Sequence, residues 1–232
     1  MYTHVLLDLD HTLLDTERSL RLAFTQAMNV AGVDASTDAA GHYATFDRIN
    51  QALWREVEAQ LRTPPQVHVA RFEQLCEQLE LDADPAHMAA AFAQGMGDHG
   101  DLYDGARAVL DALAPRVSMA LVTNGLQEIQ RARIDRLELD AYFDTITISG
   151  EVGEAKPGTA IFDVTFEALD NPDRTGAVMV GDSLSSDIAG GINAGIDTCW
   201  YNPGGKRAPL DGAMAPTHQI SSLDQLIEIC DR

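Results

Sequence analysis

The feature that most constrains this chain is a short apolar run that ends in two acids. The run Val5–Leu7 is followed directly by Asp8, and Asp10 comes two residues later. Such a run predicts a buried parallel strand, and parallel sheets bind ligands outside the carboxyl ends of their strands. Because neighbouring carboxylates repel each other unless a cation compensates them, Mg²⁺ suits this position. An acidic turn after a strand is the alternative.

The chain between residues 16 and 100 has a helical pattern throughout. Apolar residues recur at helical spacing in four segments, without an alternating strand pattern between them. Asp15 or Thr16 is placed to cap the first segment. Thr63-Pro64-Pro65 predicts a break before the third, because proline removes a helix donor. These residues predict an all-helical insert.

From Tyr103 onward, helical and strand patterns alternate. Strands separated by helices of this length predict right-handed crossovers and a parallel sheet. The first strand has no partner of its own and must join that sheet. We therefore expect an α/β protein in which residues 1–15 and 101–232 form the core and residues 16–100 form an inserted helical domain, with substrate between the two.

The net charge of −20 limits the choice of partners. Such a surface repels nucleic-acid polymers and anionic membranes, so neither is an expected partner. It also slows the approach of a small anionic substrate unless a cation or a bound metal reverses the local potential.

The cysteines and the apolar runs indicate a cytoplasmic protein. Cys76, Cys199 and Cys230 are scattered and lack metal-site spacing, which is typical of buried thiols in a reducing compartment. No run approaches the roughly 18 apolar residues of a membrane span. The first residues lead into a strand rather than a signal peptide. We expect a monomer or a weak homodimer.

Two later stretches carry polar groups suited to phosphate. Thr123 and Asn124 follow an apolar strand and precede a helix, where hydroxyl, amide and backbone donors could meet a phosphate oxygen; helix capping is the alternative. Lys156 precedes another predicted helix and offers a compact cation. A solvated loop lysine is the alternative, weakened because the chain has only one other lysine, Lys206.

A further pair of acids follows the strand that ends near Val180. Asp182 comes directly after Gly181, and Asp187 lies five residues on, at the start of a predicted helix. Asp182 is placed to join Asp8 and Asp10 at a metal. Asp187 is expected to cap the helix or to orient a ligand from behind.

Together these stretches resemble the motifs of the haloacid dehalogenase-like hydrolase superfamily. The resemblance covers the whole chain, and the helical insert corresponds to the cap domain of that family, on a Rossmann-like core. Within the superfamily, several runs are similar to bacterial pyrimidine 5′-nucleotidases: Thr123-Asn124-Gly125, Glu151-Val152-Gly153, Asn171-Pro172-Asp173-Arg174 and the stretch from Asp187 to Trp200. One departure is Gly150, where relatives tend to carry an acid; we expect no effect on the chemistry.

The resemblance implies a role for each motif residue. Asp8 would be the nucleophile that forms an aspartyl phosphate, and Asp10 the general acid and base. Thr123 and Lys156 would bind the transferring phosphoryl group. Mg²⁺ would be held by Asp8, the backbone carbonyl of Asp10, and Asp182. True dehalogenases of the superfamily lack the second acid, so Asp10 favours a phosphatase.

Substrate choice is expected to depend on the cap. Asn50 and Trp54 lie four residues apart on one helical face and could meet a base by hydrogen bonding and stacking. Arg71 could reach the mouth of the site. The alternative is that Trp54 packs inside the cap and that Asn50 and Arg71 are surface residues.

The predicted function is Mg²⁺-dependent hydrolysis of nucleoside 5′-monophosphates, preferentially pyrimidine nucleotides. Other small phosphorylated metabolites, such as sugar phosphates, or a phosphomutase reaction remain alternatives within enzymes. The alternative from another class is a phospho-accepting receiver-like signalling module, which also uses acids, a hydroxyl and a lysine at strand ends. Such a module has no place for a long insert after its first strand.

Overall fold

The protein is built on one six-stranded sheet in which all strands are parallel. The computed structural model describes residues 1–33, 38–206 and 215–231. The strand order in the sheet is β3-β2-β1-β4-β5-β6, so the first strand of the chain lies at the centre. The strands are β1 (His4–Leu7), β2 (Ser118–Thr123), β3 (Thr145–Ile148), β4 (Ala177–Gly181), β5 (Asp197–Tyr201) and β6 (His218–Ile220).

Strand β1 is apolar on both faces because both faces of the sheet are covered. Val5 and Leu7 belong to one apolar cluster, together with residues of the helices on that side. Leu6 points to the opposite cluster, where it meets Val122 and Phe162. Side chains of successive strand residues alternate between faces, so a continuous apolar run is what a strand buried on both sides requires.

The helices of the core follow the strands in alternation, as predicted. The α-helices after the insert are α5 (Ala106–Leu113), α6 (Gln127–Arg136), α7 (Ser149–Val152), α8 (Ala160–Ala168), α9 (Ala189–Asn193) and α10 (Gln225–Cys230). The short helix α7 begins directly after β3 and was not predicted.

The described residues of the insert, 16–33 and 38–100, form four helices, in agreement with the prediction of an all-helical block. They are α1 (Thr16–Val30), α2 (Ala39–Glu58), α3 (Pro64–Leu79) and α4 (Pro85–Asp98). Asp15 caps α1 by accepting from the N–H of Arg18. The prolines after Thr63 begin α3 rather than merely breaking the chain, because proline lacks only a donor that the first helical turn does not use.

The four inserted helices enclose an apolar core of their own. Its centre is a group of aromatic rings, with Phe46 in contact with Phe24, Phe72 and Phe92 at centroid distances of 4.9, 5.7 and 5.2 Å. The same cluster extends to Leu126 and Ile129 of the sheet-bearing part. The limits at residues 15 and 101 remain a prediction.

The segment after β4 departs from the predicted geometry. Leu184–Ile188 forms a π-helical turn before α9. Ser183 caps this turn by accepting from the N–H of Ser186. Capping, one of the two roles expected for Asp187, therefore belongs to Ser183. The Asp187 carboxylate accepts from the backbone N–H of Ser183 at 2.9 Å and pairs with Lys156 at 2.7 Å.

All three cysteines are free and buried, as predicted. Within residues 1–33, 38–206 and 215–231, no helix has both the length and the apolar character that crossing a membrane would need.

Candidate active site

Asp8 lies where β1 leaves the sheet. Its backbone N–H donates to the carbonyl of Val180 at 2.9 Å, which continues the β1–β4 ladder by one residue. The residue is only 6% exposed. Thr12 donates to Asp8 Oδ2 at 3.4 Å and accepts from the N–H of Asp182 at 3.1 Å. Thr12 therefore ties the ends of β1 and β4 together.

Lys156 is the cation of the site and is completely enclosed. Its ammonium lies 2.7 Å from Asp8 Oδ1, 2.7 Å from Asp187 Oδ1 and 2.6 Å from the carbonyl of Val122. The contacts with Asp8 and Val122 are hydrogen bonds, whereas Asp187 Oδ1 is an ion-pair partner that has no hydrogen bond among the described residues. The structure brings Lys156 to Asp8 across 148 residues of sequence, and the alternative of a solvated loop lysine is excluded.

Asn124 holds the loop that carries Lys156. Its side-chain amide donates to the carbonyl of Lys156 and its side-chain oxygen accepts from the N–H of Lys156, both at 2.9 Å. Both polar atoms of the amide are therefore engaged with the lysine backbone. The donors that remain for a phosphate contact by Asn124 are the second hydrogen of this amide and the backbone N–H.

Gly150 lies directly under the loop that contains Asn124. Its N–H donates to the carbonyl of Gly125 at 3.1 Å. A Cβ at position 150 would lie 2.7 Å from that same carbonyl oxygen. In this chain the absence of a side chain at Gly150 is required by the packing of the two loops.

Three carboxylates meet at the sheet edge. Oxygens of Asp8, Asp182 and Asp187 lie within 4.8 Å of one another. Gly181 makes this possible, since a Cβ there would lie 2.2 Å from Asp187 Oδ2. The sequence prediction placed Asp182 at the metal and Asp187 behind it; in the structure both lie beside Asp8.

The concentration of negative charge shifts the pKa values of the site. Burial raises the pKa of Asp8 well above its usual range; Lys156 opposes this shift, and Asp187 adds to it. Burial and the nearby Asp187 raise the pKa of Asp182 to about 6. The pKa of Lys156 is raised as well, because its two carboxylates outweigh the effect of burial.

The acidic group has the chemistry of a hard-cation site. Three carboxylates share one lysine ammonium, so negative charge remains in excess. Oxygen ligands of this kind are those that Mg²⁺ prefers in proteins. The residues present therefore fit a divalent cation held beside Asp8.

Asp10 is held away from this cluster by three donors. Oδ1 accepts from the hydroxyl of Thr16 at 2.6 Å and from Nη1 of Arg133 at 2.7 Å, and Oδ2 accepts from Nε2 of Gln130 at 2.6 Å. Although burial alone would raise the pKa of Asp10, these donors and the Arg133 charge outweigh it and lower that pKa.

Gln130 also reaches the predicted phosphate-binding hydroxyl. Its Nε2 donates to Thr123 Oγ1 at 2.7 Å. Thr123 is fully buried at the end of β2. Because the hydroxyl accepts from Gln130, its own hydrogen remains available to an oxygen ligand.

Sequence reasoning missed Gln130 and Arg133. Each is only 1% exposed, yet α6 carries few apolar residues, so its buried face could not be identified by hydrophobicity. The usable signal was their spacing of three, which places both on one helix face.

The two parts of the molecule enclose a cavity of about 540 Å³ above these residues. Asp8, Asp10, Lys156 and Asp182 line one side of it. The three residues predicted to determine specificity, Asn50, Trp54 and Arg71, line the cap side. Asn50 and Arg71 are buried, so the alternative that they are surface residues is excluded.

Arg71 is an unusual cation in this wall. It is 3% exposed, its Nη1 donates to Asn50 Oδ1 at 3.2 Å, and its guanidinium lies 4.5 Å from the ring centroid of Phe92. Its Nη2 has no hydrogen-bond partner among the residues that the structure describes. Burial lowers the pKa of Arg71 to about 9, which leaves it charged at neutral pH. A buried charged donor without a partner is costly unless a ligand supplies one.

Comparison with known proteins gives the family. The sequence matches the family model of haloacid dehalogenase-like hydrolases over residues 5–201. Pyrimidine 5′-nucleotidase YjjG of Escherichia coli (strain K12) is 37% identical over 83% of this chain and 84% of the relative. N-acylneuraminate-9-phosphatase of Mus musculus is 30% identical over 96% of this chain and 91% of the relative.

A solved structure agrees over the full length. HAD-hydrolase YfnB from Bacillus subtilis, bound to magnesium, superposes with a TM-score of 0.88 at 31% identity and covers 100% of this chain and 99% of its own. The resemblance found in the sequence is confirmed, and the signalling alternative is excluded. This chain is a phosphoric monoester hydrolase that belongs to the haloacid dehalogenase-like hydrolase family.

Proposed function

We propose that the enzyme hydrolyses nucleoside 5′-monophosphates, preferentially pyrimidine nucleotides, in a Mg²⁺-dependent reaction through an aspartyl phosphate on Asp8. The observation that carries this proposal is the 2.7 Å contact between Lys156 and Asp8 at one side of a cavity. Its other side contains Arg71, whose Nη2 has no hydrogen-bond partner among the described residues. Lys156 and Asp8 act on the phosphate group, and Arg71 recognises the rest of the substrate.

In the first half of the reaction, a carboxylate oxygen of Asp8 attacks phosphorus. An oxygen–phosphorus bond forms to Asp8 while the ester oxygen–phosphorus bond breaks, and the bonding electrons leave with the ester oxygen. Asp10 gives a proton to that oxygen; since the pKa of Asp10 is lowered in the free enzyme, it has to take up this proton as the negatively charged phosphate enters the site. Lys156 and Thr123 bind the oxygens of the transferring group, with the backbone N–H of Asn124 beside them.

In the second half, water attacks the phosphorus of the aspartyl phosphate. Asp10, now a carboxylate, accepts a proton from this water, and the bond between phosphorus and the Asp8 oxygen breaks. Inorganic phosphate leaves and both acids return to their starting forms. Splitting one displacement in two replaces a difficult step by easier ones.

Asp8, Asp182 and the backbone carbonyl of Asp10 would hold the magnesium ion, with Asp187 orienting the site from its pair with Lys156. When bound, Mg²⁺ neutralises charge on the phosphoryl oxygens. The raised pKa values of Asp8 and Asp182 support this assignment, because burial and the neighbouring Asp187 disfavour the charged forms of both groups and a dication would offset that cost.

The cap wall suits a flat base. Trp54 offers a ring for stacking, and apolar side chains such as Phe92 and Met96 line the same cavity. Arg71 Nη2 is a donor that needs an acceptor, and a carbonyl oxygen of a pyrimidine provides one. Asn50 is fixed by Arg71 and would contribute its amide.

A sugar acid phosphate is the second candidate, and Arg71 is the observation that favours it. A guanidinium pairs well with a carboxylate, and a carboxylate-bearing substrate is named for the N-acylneuraminate-9-phosphatase relative. However, Glu17, Asp47 and Glu58 also line the cavity. Since these acids repel a second anionic group, they favour a neutral base.

The test is phosphate release over a panel of nucleoside monophosphates, N-acylneuraminate 9-phosphate and other sugar phosphates, with and without Mg²⁺. The expected result is fastest turnover of a pyrimidine nucleotide, only with Mg²⁺, and its loss in Asp8→Asn. Full activity in Asp8→Asn would overturn the mechanism. A preference for sugar phosphates would overturn only the choice of substrate.

We further propose that the enzyme works in the cytoplasm as a monomer or weak homodimer. The three buried free thiols support a reducing compartment. Sedimentation of the purified protein over a range of concentrations tests the oligomeric state.

A further inference from the structure

Arg133 connects the cap to an acid of the active site. Its Nη1 donates to Asp10 Oδ1 at 2.7 Å, and its Nε donates to the backbone carbonyl of Met96 at 2.8 Å. Met96 lies in the last turn of α4, just before the chain returns from the cap to the core. One buried side chain therefore binds both Asp10 and the end of the insert.

Thr16 makes the corresponding contact where the chain enters the cap. It is the first residue of α1, and its hydroxyl donates to Asp10 Oδ1 at 2.6 Å. Asp10 is thus connected to both segments that link the core to the cap. Thr16 contacts it directly from the first segment, and Arg133 connects it to Met96 at the second. A displacement of the cap relative to the core must move one or both of these donors.

The remaining donor to Asp10 belongs to the core. Gln130 lies one turn before Arg133 on α6 and accepts from Arg133 Nη1 at 3.1 Å, while its Nε2 donates to Asp10 Oδ2. It therefore holds Asp10 against α6 whatever the position of the cap. The orientation of the Asp10 carboxylate is a balance between this contact and the two that depend on the cap.

We propose that Arg133 is a positioning residue that transmits the position of α4 to the Asp10 carboxylate. The inference rests on the proposed function, in which Asp10 protonates the leaving oxygen. The planar guanidinium is suited to this role because its Nε and Nη1 point in fixed directions to two acceptors. A lysine ammonium at position 133 could reach one of the two acceptors and not both.

A misplaced general acid slows hydrolysis of a substrate to an extent that depends on the leaving group. Departure of the sugar oxygen of a nucleotide requires a proton, whereas p-nitrophenolate departs from p-nitrophenyl phosphate without one. If Arg133 positions Asp10, its replacement lowers kcat/KM for the nucleotide far more than for the aryl phosphate. A purely structural role would lower both to the same extent.

The test compares Arg133→Met and Arg133→Lys with Arg136→Met. Arg136 is a matched control on the same helix, because it donates to the backbone carbonyls of Gly97 and His99 in the same connection but does not contact Asp10. Each variant is assayed with a pyrimidine nucleotide and with p-nitrophenyl phosphate, and its folding is checked by thermal unfolding.

We expect Arg133→Met to lower kcat/KM for the nucleotide roughly tenfold or more beyond its effect on p-nitrophenyl phosphate, in keeping with the size of general-acid effects. Arg133→Lys should also lower kcat/KM more for the nucleotide than for p-nitrophenyl phosphate, but by a smaller factor. This variant replaces Arg133→Met in the test if the methionine variant does not fold. Arg136→Met should leave the ratio of the two substrates unchanged. Equal losses for both substrates in the Arg133 variants, or an imbalance in Arg136→Met, would overturn the inference. If the wild-type enzyme hydrolyses neither substrate, the proposed function has failed instead.

Discussion

The ammonium of Lys156 is 2.7 Å from the carboxylate of Asp8, and both side chains are buried. The contact places a fixed positive charge beside the proposed nucleophile before any substrate arrives. Since the carboxylates around Lys156 outnumber it, the site as a whole keeps a negative excess. A phosphate monoester can bind only when a further cation offsets that excess, which is the physical basis for expecting Mg²⁺ dependence.

Replacing Lys156 by methionine should abolish most activity at nearly constant volume. The loss of one preorganised charged donor typically costs about 10²–10³ in kcat. Steady-state phosphate release at saturating Mg²⁺ measures it. The matched control is Lys206→Met, the only other lysine of the chain, which lies on the surface. Near wild-type turnover in Lys156→Met would contradict the proposed role.

Asp8→Asn should make the metal-free protein more stable at neutral pH. The pKa of Asp8 is raised in the folded state, so the folded protein holds this proton more tightly and loses stability as the pH rises above about 4, the ordinary pKa of an aspartate. Asparagine does not titrate and avoids this loss. The gain in Tm should therefore be clear at pH 7 and disappear near pH 4.

Thermal unfolding in EDTA at several pH values measures this difference, with each kcal/mol worth about 2–4 °C in a chain of this size. Added Mg²⁺ should reverse the order of the two proteins, because the wild type binds it more tightly and is stabilised by mass action. A Tm difference that does not vary with pH would refute the assignment.

Arg71→Met should raise stability while impairing use of nucleotides. The substitution removes a buried charge from between two aromatic rings, and one nitrogen of that charge has no partner among the described residues, so its removal should relieve a desolvation cost. The KM for a pyrimidine nucleotide should rise roughly tenfold or more, the value of a charged hydrogen bond. Turnover of p-nitrophenyl phosphate, which has no base, should change little.

The control for this variant is Arg48→Met, which removes an exposed arginine from the same cap. It should alter neither Tm nor KM noticeably. A destabilised Arg71→Met protein with an unchanged KM would show that Arg71 is structural.

Gly150→Ala should be destabilising although alanine is the better helix former. Helix propensity favours alanine by about 1 kcal/mol. The new Cβ would lie 2.7 Å from the carbonyl oxygen of Gly125, and overpacking against backbone costs about 1–3 kcal/mol. The cost of the clash should exceed the gain in helix propensity. The clash should also displace the loop that contains Thr123 and so lower kcat. Gly204→Ala, where a Cβ meets nothing within 4 Å, is the control for both Tm and kcat.

The sequence was most informative where an apolar run meets an acid or a hydroxyl. Runs of this kind at Asp8, Thr123 and Asp182 predicted three strand ends, and a parallel sheet necessarily gathers such ends at one edge. The order of the strands could not be read locally. It depends on which apolar faces pack together, which involves residues far apart in the chain.

The supporting side chains were less predictable for a physical reason. Gln130 and Arg133 are polar residues whose burial is offset by partners on α4 and in the loop after β1, and no property of α6 alone indicates those partners. The π-turn at Leu184–Ile188 was missed similarly, since Asp187 has to approach Gly181 and Lys156 before that geometry becomes favourable.

The central position of β1 has a consequence for how enzymes with this architecture can diverge. Acids, hydroxyl and lysine all belong to the sheet edge, whereas Asn50, Trp54 and Arg71 belong to α2 and α3. With the roles proposed above, changes in those two helices give access to new substrates without altering the groups proposed to break the bond. Helix α4 is not free in the same way. Arg133 and Arg136 bind its last turn. Sequence changes in that turn would therefore affect the position of Asp10 through Arg133.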